Sequence, residues 1–329
     1  MNRRIFLFVP LLLVGVVGLL VLAVHPTRAQ SWPSKPIKLI VPFGAGGAND
    51  IVARLIQPSL EKSLGQPIVI ENRPGASGVT GTDVVAKSQP DGYTLGVALA
   101  THSVNPAVNP KMPFDTERDL APIILIGKNP LMFVVNSSVP AKTIAEFVAL
   151  AKANPEKYNY SSPGAASQAH LIVSQWSNLA GIHIQHVPYR GGNQAILSTV
   201  AGDTQFSLMS SLVSAPHIAS GKLRALAAGS LKRDPRYPDV PTMAESGYPG
   251  IEAVTWVGMF AAAGTPRPIV ERLNAEINRI IHEPDIAAKL EQQDFVIAGG
   301  TPEEFASFIA GEIKRWTAIA RANKISLQQ

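Results

Sequence analysis

The sequence contains no cysteine among its 329 residues. Disulfide bonds, thiolate-based zinc sites, a lipid-anchored amino-terminal cysteine and a cysteine nucleophile are therefore all excluded. The fold must be stable on packing and hydrogen bonding alone. Aromatic residues make up only 6% of the chain, whereas apolar residues reach 46%. This composition, rich in alanine, valine and isoleucine, is typical of an α/β protein.

Only the amino terminus carries an apolar run long enough to cross a bilayer. Residues 2–4 are Asn-Arg-Arg, residues 5–24 are apolar, and residues 27–29 (Thr-Arg-Ala) place small residues where a signal peptidase cuts. We therefore expect residues 1–29 to be an export signal and the mature chain to begin at Gln30. Because the run exceeds the roughly 7–15 residues of a typical signal, an uncleaved membrane anchor stays open as the alternative.

Strong charge of one sign is also lacking. The formal net charge is +5, and it falls to +2 without residues 1–29, which contain Arg3, Arg4 and Arg28 and no acidic residue. Because the chain has neither basic runs nor basic residues interleaved with aromatic ones, nucleic acid is excluded as the expected partner.

Short β-branched runs alternate with helical patterns along the chain, as in α/β folds. Strands are predicted at residues 37–41, 68–70, 93–97, 157–160, 183–187, 204–209 and 223–227. Helices are predicted at residues 50–64, 193–201 and 266–282. Further helices are predicted to begin after Thr143, Ser167 and Thr301, and the last of these runs towards the carboxyl terminus. Pro58 is expected to kink or shorten the helix at residues 50–64.

About 300 mature residues exceed what one hydrophobic core usually organises, so two lobes are expected. The strand and helix pattern restarts after Gly127, and the terminal helices need a sheet to cover. We therefore expect the chain to leave the first lobe near residues 127–130 and to return near 256–264. The first lobe then comprises residues 30–128 with 257–329, and the second comprises residues 129–256.

A glycine-rich turn at residues 41–50 joins the first strand to the first helix. Such a turn offers unpaired N–H groups and the positive end of a helix dipole to an anion. Asn49 stands where a dinucleotide fingerprint needs its third glycine, and the lysine of a phosphate loop is missing. The turn is thus either a site for a small anion or simply a tight connection.

The second lobe has a counterpart at residues 161–167, where another strand leads through serines and glycine into a helix. Ser167 can cap that helix, contact a ligand or do both. Two helix N-termini that face each other across a cleft can hold a carboxylate without any arginine, because several N–H bonds replace its lost hydration.

Five longer blocks lie in order along the mature chain, at residues 36–47, 65–76, 90–95, 186–191 and 238–247. Together they resemble the tripartite tricarboxylate transporter receptor family, also called Bug receptors. The resemblance covers essentially the whole mature chain. It implies an α/β, two-lobed type II periplasmic-binding fold, in which each lobe is a mixed sheet flanked by helices and the ligand cleft lies between the lobes.

The resemblance also implies a function. The chain is expected to be a monomeric, non-catalytic periplasmic receptor, without cofactor or metal. It is expected to capture a small organic carboxylate, which is a di- or tricarboxylate, an amino acid or an aromatic acid, for the large and small integral-membrane subunits of a transporter. The ligand-binding residues are then Phe43, Gly44, Ala45, Gly46 and Gly47 in the first loop, Thr101 and Ser103 after the third strand, and Ser162, Gly164, Ala165, Ser167, Tyr189 and Arg190 in the second lobe.

Several alternatives stay open from the residues themselves. Arg190 either meets a distal carboxylate of the ligand or is a solvated arginine on a turn. A periplasmic sensor that signals to a partner would bind ligand in the same way as a transport receptor. A hydrolase is disfavoured, because the sequence contains no Gly-x-Ser-x-Gly elbow, His-Glu-x-x-His helix or phosphate loop.

Overall fold

The computed structural model describes residues 32–292, 294–322 and 325–326. The chain divides into two units, Met1–Ser34 and Lys35–Gln329, and the second unit carries all the helices and strands of the described residues. The predicted export signal, residues 1–29, lies outside the described residues. Among the residues described, no helix is both long enough and apolar enough to cross a membrane.

Ten strands are described, and all are linked through one continuous network of pairing. They are β1 (Ile37–Val41), β2 (Ile68–Asn72), β3 (Thr94–Leu99), β4 (Leu120–Asn136), β5 (Asn159–Ser162), β6 (Gln185–Pro188), β7 (Phe206–Ser210), β8 (Leu223–Ala228), β9 (Val254–Ala262) and β10 (Val296–Gly299). The seven predicted strands are confirmed, β1 with the predicted bounds and the other six with shifted ends, whereas β4, β9 and β10 were not predicted as strands.

Ten α-helices are described along the same residues. They are α1 (Ala48–Leu64), α2 (Val79–Ala86), α3 (Thr101–Val108), α4 (Ile144–Ala153), α5 (Gln168–Ala180), α6 (Gly192–Ala201), α7 (Ser211–Ala219), α8 (Arg267–Ile281), α9 (Pro284–Gln292) and α10 (Pro302–Ala322). Of the expected effects of Pro58, a kink or a shortened helix, the shortening was wrong, because α1 continues through Pro58. Pro58 lies on the exposed face, where water can hydrate the carbonyl that loses its helical donor.

The long strand β4 joins two groups of strands. Its first part pairs antiparallel with β9, from Leu120 opposite Ala262 to Pro130 opposite Val254. From Leu131 onwards it pairs antiparallel with β7 and β8 instead. The first strand group contains β1, β2, β3, β9 and β10, and the second contains β5 to β8. Within the groups, β1 is parallel to β2 and β3, and β5 is parallel to β6 and β7.

Each strand group has its own hydrophobic core. Trp256, Phe260 and Phe305 lie in the core of the first group, whereas Trp176 and Phe206, with ring centroids 5.4 Å apart, lie in the core of the second. Each fully buried side chain of this size stabilises the fold by about 1.5–3 kcal/mol. The helix α10 serves both cores, because its first half contributes Phe305 and Ile309 while its second half contributes Trp316 and Ala320.

Candidate ligand site

A small cavity of about 60 Å³ lies where the carboxyl ends of strands from both groups meet. Strands β1, β3, β5 and β7 each lead into a helix at this edge. The N-termini of five helices line the cavity: Gly47 to Asn49 of α1, Thr101 of α3, Ser167 to Ala169 of α5, Gly192 of α6 and Ser210 of α7. In each case a strand is followed by a helix, directly or after a short loop, and this order brings helix N-termini from both strand groups to one site.

The cavity wall carries no charged side chain among the described residues. Each helix N-terminus contributes the equivalent of roughly half a positive charge and leaves its first N–H groups without acceptors inside the helix. Five such ends around one small cavity favour an anion there. The remaining wall is largely apolar and includes Leu99, Leu131, Leu208, Met209 and Val213.

The loop before α1 is held in shape by Asp50. The buried Asp50 carboxylate accepts hydrogen bonds from the Gly46 N–H, from Arg54 Nε and from Asn72 Nδ2, each at 2.9 Å. Burial alone would raise the pKa of Asp50, but the hydrogen bonds from Arg54, Gly46 and Asn72 hold the pKa below its ordinary value. Since Asp50 does not line the cavity, its charge supports the loop and does not face the ligand space.

Polar side chains stabilise the loop before α5 through hydrogen bonds. Ser167 Oγ caps the helix by accepting a hydrogen bond from the His170 N–H, and the Ala166 N–H donates to His170 Nδ1 at 3.0 Å. Ser162 Oγ lies 2.6 Å from His186 Nε2. The rings of His170 and His186 stack with centroids 3.9 Å apart. Burial, together with the neighbouring charge of His170, lowers the pKa of His186 to about 3.

The thirteen predicted site residues separate into three sets. Lining the main cavity are Phe43, Gly47, Thr101 and Ser167. A second cavity of about 360 Å³ is lined by Phe43 again and by Gly164, Ala165, Tyr189 and Arg190. Lining neither of these two cavities are Gly44, Ala45, Gly46, Ser103 and Ser162. Arg190 is exposed, and its side chain is therefore placed outside the wall of the main cavity.

Sequence reasoning missed Asn49 as a site residue. Asn49 is fully buried and lines the main cavity. Neither its Oδ1 nor its Nδ2 has a hydrogen-bond partner in the described part of the chain. The available signal was its position, two residues after the last glycine of the turn and in the first turn of α1. In the sequence, this position was compared only with the dinucleotide-binding fingerprint, where it counted as a missing third glycine.

Direct contacts join the loops of the two strand groups at the edge of the site. Ser77 Oγ donates to the Ala165 carbonyl, and Asn193 Nδ2 donates to the Ala45 carbonyl at 3.4 Å. A Cβ added to Gly44 would lie 3.3 Å from the Arg190 carbonyl oxygen. These contacts hold the loops of the two strand groups together beside the glycine turn.

A metal centre has no support among the described residues, since no group of three or more histidine, aspartate and glutamate side chains is placed to hold an ion. His186 is engaged with Ser162 and His170, while His183 is exposed. The site can therefore bind an anion by backbone N–H groups and neutral side chains.

Comparison with known proteins adds independent findings. A family model described as "Tripartite tricarboxylate transporter family receptor" matches residues 52–325. The chain is 35% identical over 321 residues to Protein BugT of Bordetella pertussis (strain Tohama I), covering 96% of this chain and 98% of BugT.

Two solved structures are similar along nearly the whole chain. The structure of R. palustris Rpa4515 with adipate has a TM-score of 0.86 and 32% identity, covering 90% of this chain and 99% of that one. The structure of periplasmic binding protein BugD has a TM-score of 0.87 and 30% identity, covering 90% of this chain and 100% of that one.

Proposed function

Because the chain belongs to the tripartite tricarboxylate transporter receptor family, whose members are two-lobed solute-binding receptors and not enzymes, we propose that it captures a small organic carboxylate in the periplasm. It then presents that carboxylate to the large and small integral-membrane subunits of a secondary transporter. The periplasmic location is supported by the signal-like residues 1–29 and by the similarity to BugD.

The observation that carries this proposal is the convergence of five helix N-termini on one cavity whose wall, as far as the chain is described, includes no charged residue. A carboxylate that leaves water must regain several hydrogen bonds, and charge-assisted bonds from N–H groups are among the strongest available. Neutral donors hold an anion reversibly, because no buried ion pair has to be broken when the ligand leaves. Reversible binding is what a transport receptor requires.

The proximal carboxylate is assigned to the loops at residues 43–47 and 162–167. Gly47 and Ser167 reach the cavity wall, and the N-termini of α1 and α5 follow directly behind them. The N–H of Gly46 is already used by Asp50. In the first loop, ligand contacts are therefore assigned to Gly47 and to the first-turn N–H groups of α1.

Ligand binding is proposed to bring the two lobes together. The lobes are residues 30–128 with 257–329, and residues 129–256. Each loop alone offers only part of the hydrogen bonding that a carboxylate loses, so a bound ligand favours the arrangement in which both loops reach it. The contacts from Ser77 to Ala165 and from Asn193 to Ala45 join these lobes and support such a closed arrangement.

The test is a thermal-shift screen of the purified protein against mono-, di- and tricarboxylates, with matched alcohols and amides as controls. A ligand at one hundred times its dissociation constant raises the free energy of unfolding by about 2.7 kcal/mol. At least one carboxylate is expected to raise the melting temperature while its alcohol does not. If alcohols and acids shift it equally, or no acid shifts it, the proposed function is wrong.

A further inference from the structure

The main cavity is lined by a buried side chain that no group of the described residues satisfies. Asn49 is fully buried, and both polar atoms of its amide lack a partner within the described residues. Leaving a buried polar atom unpaired costs about 1–3 kcal/mol. Its Oδ1 faces the glycine turn, since a Cβ added to Gly47, another wall residue, would lie 3.5 Å from it. An amide in this position is suited to contact a ligand.

The chemistry of the amide restricts what can satisfy it. Nδ2 donates hydrogen bonds but cannot accept them, so a carboxylate oxygen of the ligand is a suitable partner for it. Oδ1 only accepts, and a carboxylate has no proton to offer. A ligand that satisfies both atoms must therefore bring a hydrogen-bond donor in addition to its carboxylate.

The rest of the cavity restricts the charge of that donor. With the helix N-termini taken up by the first carboxylate, a second carboxylate or an ammonium group would need a counter-charge from a side chain, but no charged side chain lines the main cavity among the described residues. The nearby Asp50 is already engaged by Gly46, Arg54 and Asn72, and Arg190 lines the second cavity but not the main one. A second buried charge would remain without a counter-charge, which is costly.

On the premise of the proposed function, we infer that the ligand is a small monocarboxylate that is otherwise uncharged and carries a neutral donor, a hydroxyl or a carboxamide, for Asn49 Oδ1. The apolar wall around Leu131, Leu208 and Met209 accommodates its hydrocarbon part. Asn49 is then a specificity-determining residue, and the five helix N-termini hold the carboxylate.

The test measures affinities of the purified protein by calorimetry for one four-carbon series. The series contains butyrate, its 2-, 3- and 4-hydroxy derivatives, succinamate, succinate and 4-aminobutyrate, of which succinamate and succinate have nearly the same shape. At least one hydroxybutyrate or succinamate is expected to bind about tenfold or more tightly than butyrate, succinate and 4-aminobutyrate. This comparison needs no variant.

The variant Asn49→Leu then tests the residue. It conserves size but removes both polar atoms. Butyrate should lose only the bond from Nδ2 to its carboxylate, whereas the hydroxylated or amidated acid loses that bond and the one to Oδ1, so its advantage over butyrate should disappear. Asn154→Leu is the matched control, because Asn154 caps the carboxyl end of α4 and does not line the cavity. It should leave every affinity unchanged.

The outcomes separate the two proposals. Tighter binding of succinate or 4-aminobutyrate than of every neutral acid in the series would overturn the inference and leave the receptor function intact. An equal loss for butyrate and for the hydroxylated acids in Asn49→Leu would also overturn it, because Asn49 would then hold the carboxylate alone. Absence of binding by carboxylates of every class in the thermal-shift screen would instead refute the receptor function.

Discussion

Gly46 and Gly47 are neighbours in one turn, yet the structure uses them differently. Gly46 has a φ of 77°, which favours glycine, and a Cβ there would lie 2.9 Å from Asn193 Nδ2. Gly47 has an extended backbone with a φ of −78°, and a Cβ there would meet only ordinary contacts at 3.5 Å. A side chain at Gly46 therefore strains the loop, whereas one at Gly47 mainly fills space in the cavity.

The variant Gly47→Val is therefore expected to fold but to bind carboxylate at least about tenfold more weakly, because the side chain occupies space beside the anion. Calorimetry gives the affinity, and the melting temperature without ligand reports folding. Gly250→Val is the control, since Gly250 has open space around it and does not line the cavity. Unchanged affinity in a folded Gly47→Val protein would remove this turn from the site.

His102 makes the stability depend on pH. Burial lowers the pKa of His102 to about 4, and its ring stacks on Phe260 with centroids 4.9 Å apart. As the pH falls from about 6.5 to about 4, the unfolded chain takes up a proton that the folded chain does not. As the pH is lowered through this window, the free energy of unfolding therefore decreases by about 1.4 kcal/mol per pH unit because of this group.

Replacing His102 by Phe should weaken that dependence. The phenyl ring conserves the stacking but cannot be protonated, so the decline in stability between pH 6.5 and 4 becomes less steep by up to about 1.4 kcal/mol per pH unit. Urea unfolding at several pH values measures the slope. His183→Phe changes an exposed histidine and serves as control. Identical slopes for wild type and His102→Phe would contradict the burial argument.

At the scale of elements, short strands and cap motifs were predictable, whereas the long connecting strands were not. Strand β4 contains Pro122, Gly127 and Pro130, which signal breaks in a sequence. In the structure, irregularities in the pairing with β9 fall between Pro122 and Ile124 and between Leu125 and Gly127. Bulges of this kind let the strand continue past residues that interrupt a regular ladder, so local patterns could not reveal it.

The candidate site was likewise predictable where it depends on local sequence patterns and unpredictable where it depends on tertiary packing. The two loops that precede α1 and α5 were predictable, because a strand followed by glycine or serine and a helix is a local pattern. The apolar wall was not, since Leu131, Leu208 and Val213 come from separate elements and meet only in the tertiary fold. Asn49 was visible in the sequence, but its burial without partners was not.

The N-cap of α5 links helix stability to the site. Ser167→Ala removes the hydroxyl that accepts the His170 N–H, so the free energy of unfolding should fall by about 1 kcal/mol. Because Ser167 also lines the cavity, carboxylate affinity should fall about threefold or more. Chemical unfolding and calorimetry measure the two effects.

Thr143→Ala is the matched control for this prediction. Thr143 caps α4 by accepting the Glu146 N–H at 3.1 Å, and it does not line the cavity. It should lose similar stability and no affinity. If both variants lost affinity equally, the effect of Ser167 would follow from stability alone and not from contact with the ligand.

At the scale of the whole molecule, shared elements connect the strand groups while their loops meet across the cavity. Strand β4 pairs with both groups, and α10 packs in both cores through Phe305 and Trp316. Such shared elements permit a hinge between lobes without separating them. Motion between the lobes must then open the contacts at the rim, of which the one from Ser77 to Ala165 is the most direct.

The absence of cysteine makes that rim testable with a single engineered disulfide, Ser77→Cys with Gly164→Cys. A Cβ added to Gly164 would lie 3.5 Å from the Ser77 Cβ, within the range of about 3.5–4.5 Å that disulfides require. Oxidation after saturation with the tightest-binding acid of the four-carbon series should lock the loops together. Ligand dissociation should then slow by about a hundredfold or more, because opening would require the disulfide to break.

Thiol titration establishes that the bond has formed, and stopped-flow exchange against excess competing acid measures dissociation. Reduction should restore fast exchange, and each single variant, Ser77→Cys or Gly164→Cys, should exchange ligand at the same rate under oxidising and reducing conditions. Oxidation before the ligand is added should block binding for the same reason that it traps ligand afterwards. Equal exchange rates in the fully oxidised and reduced double variant would mean that the ligand enters and leaves without separation of these loops, which would refute closure at this rim.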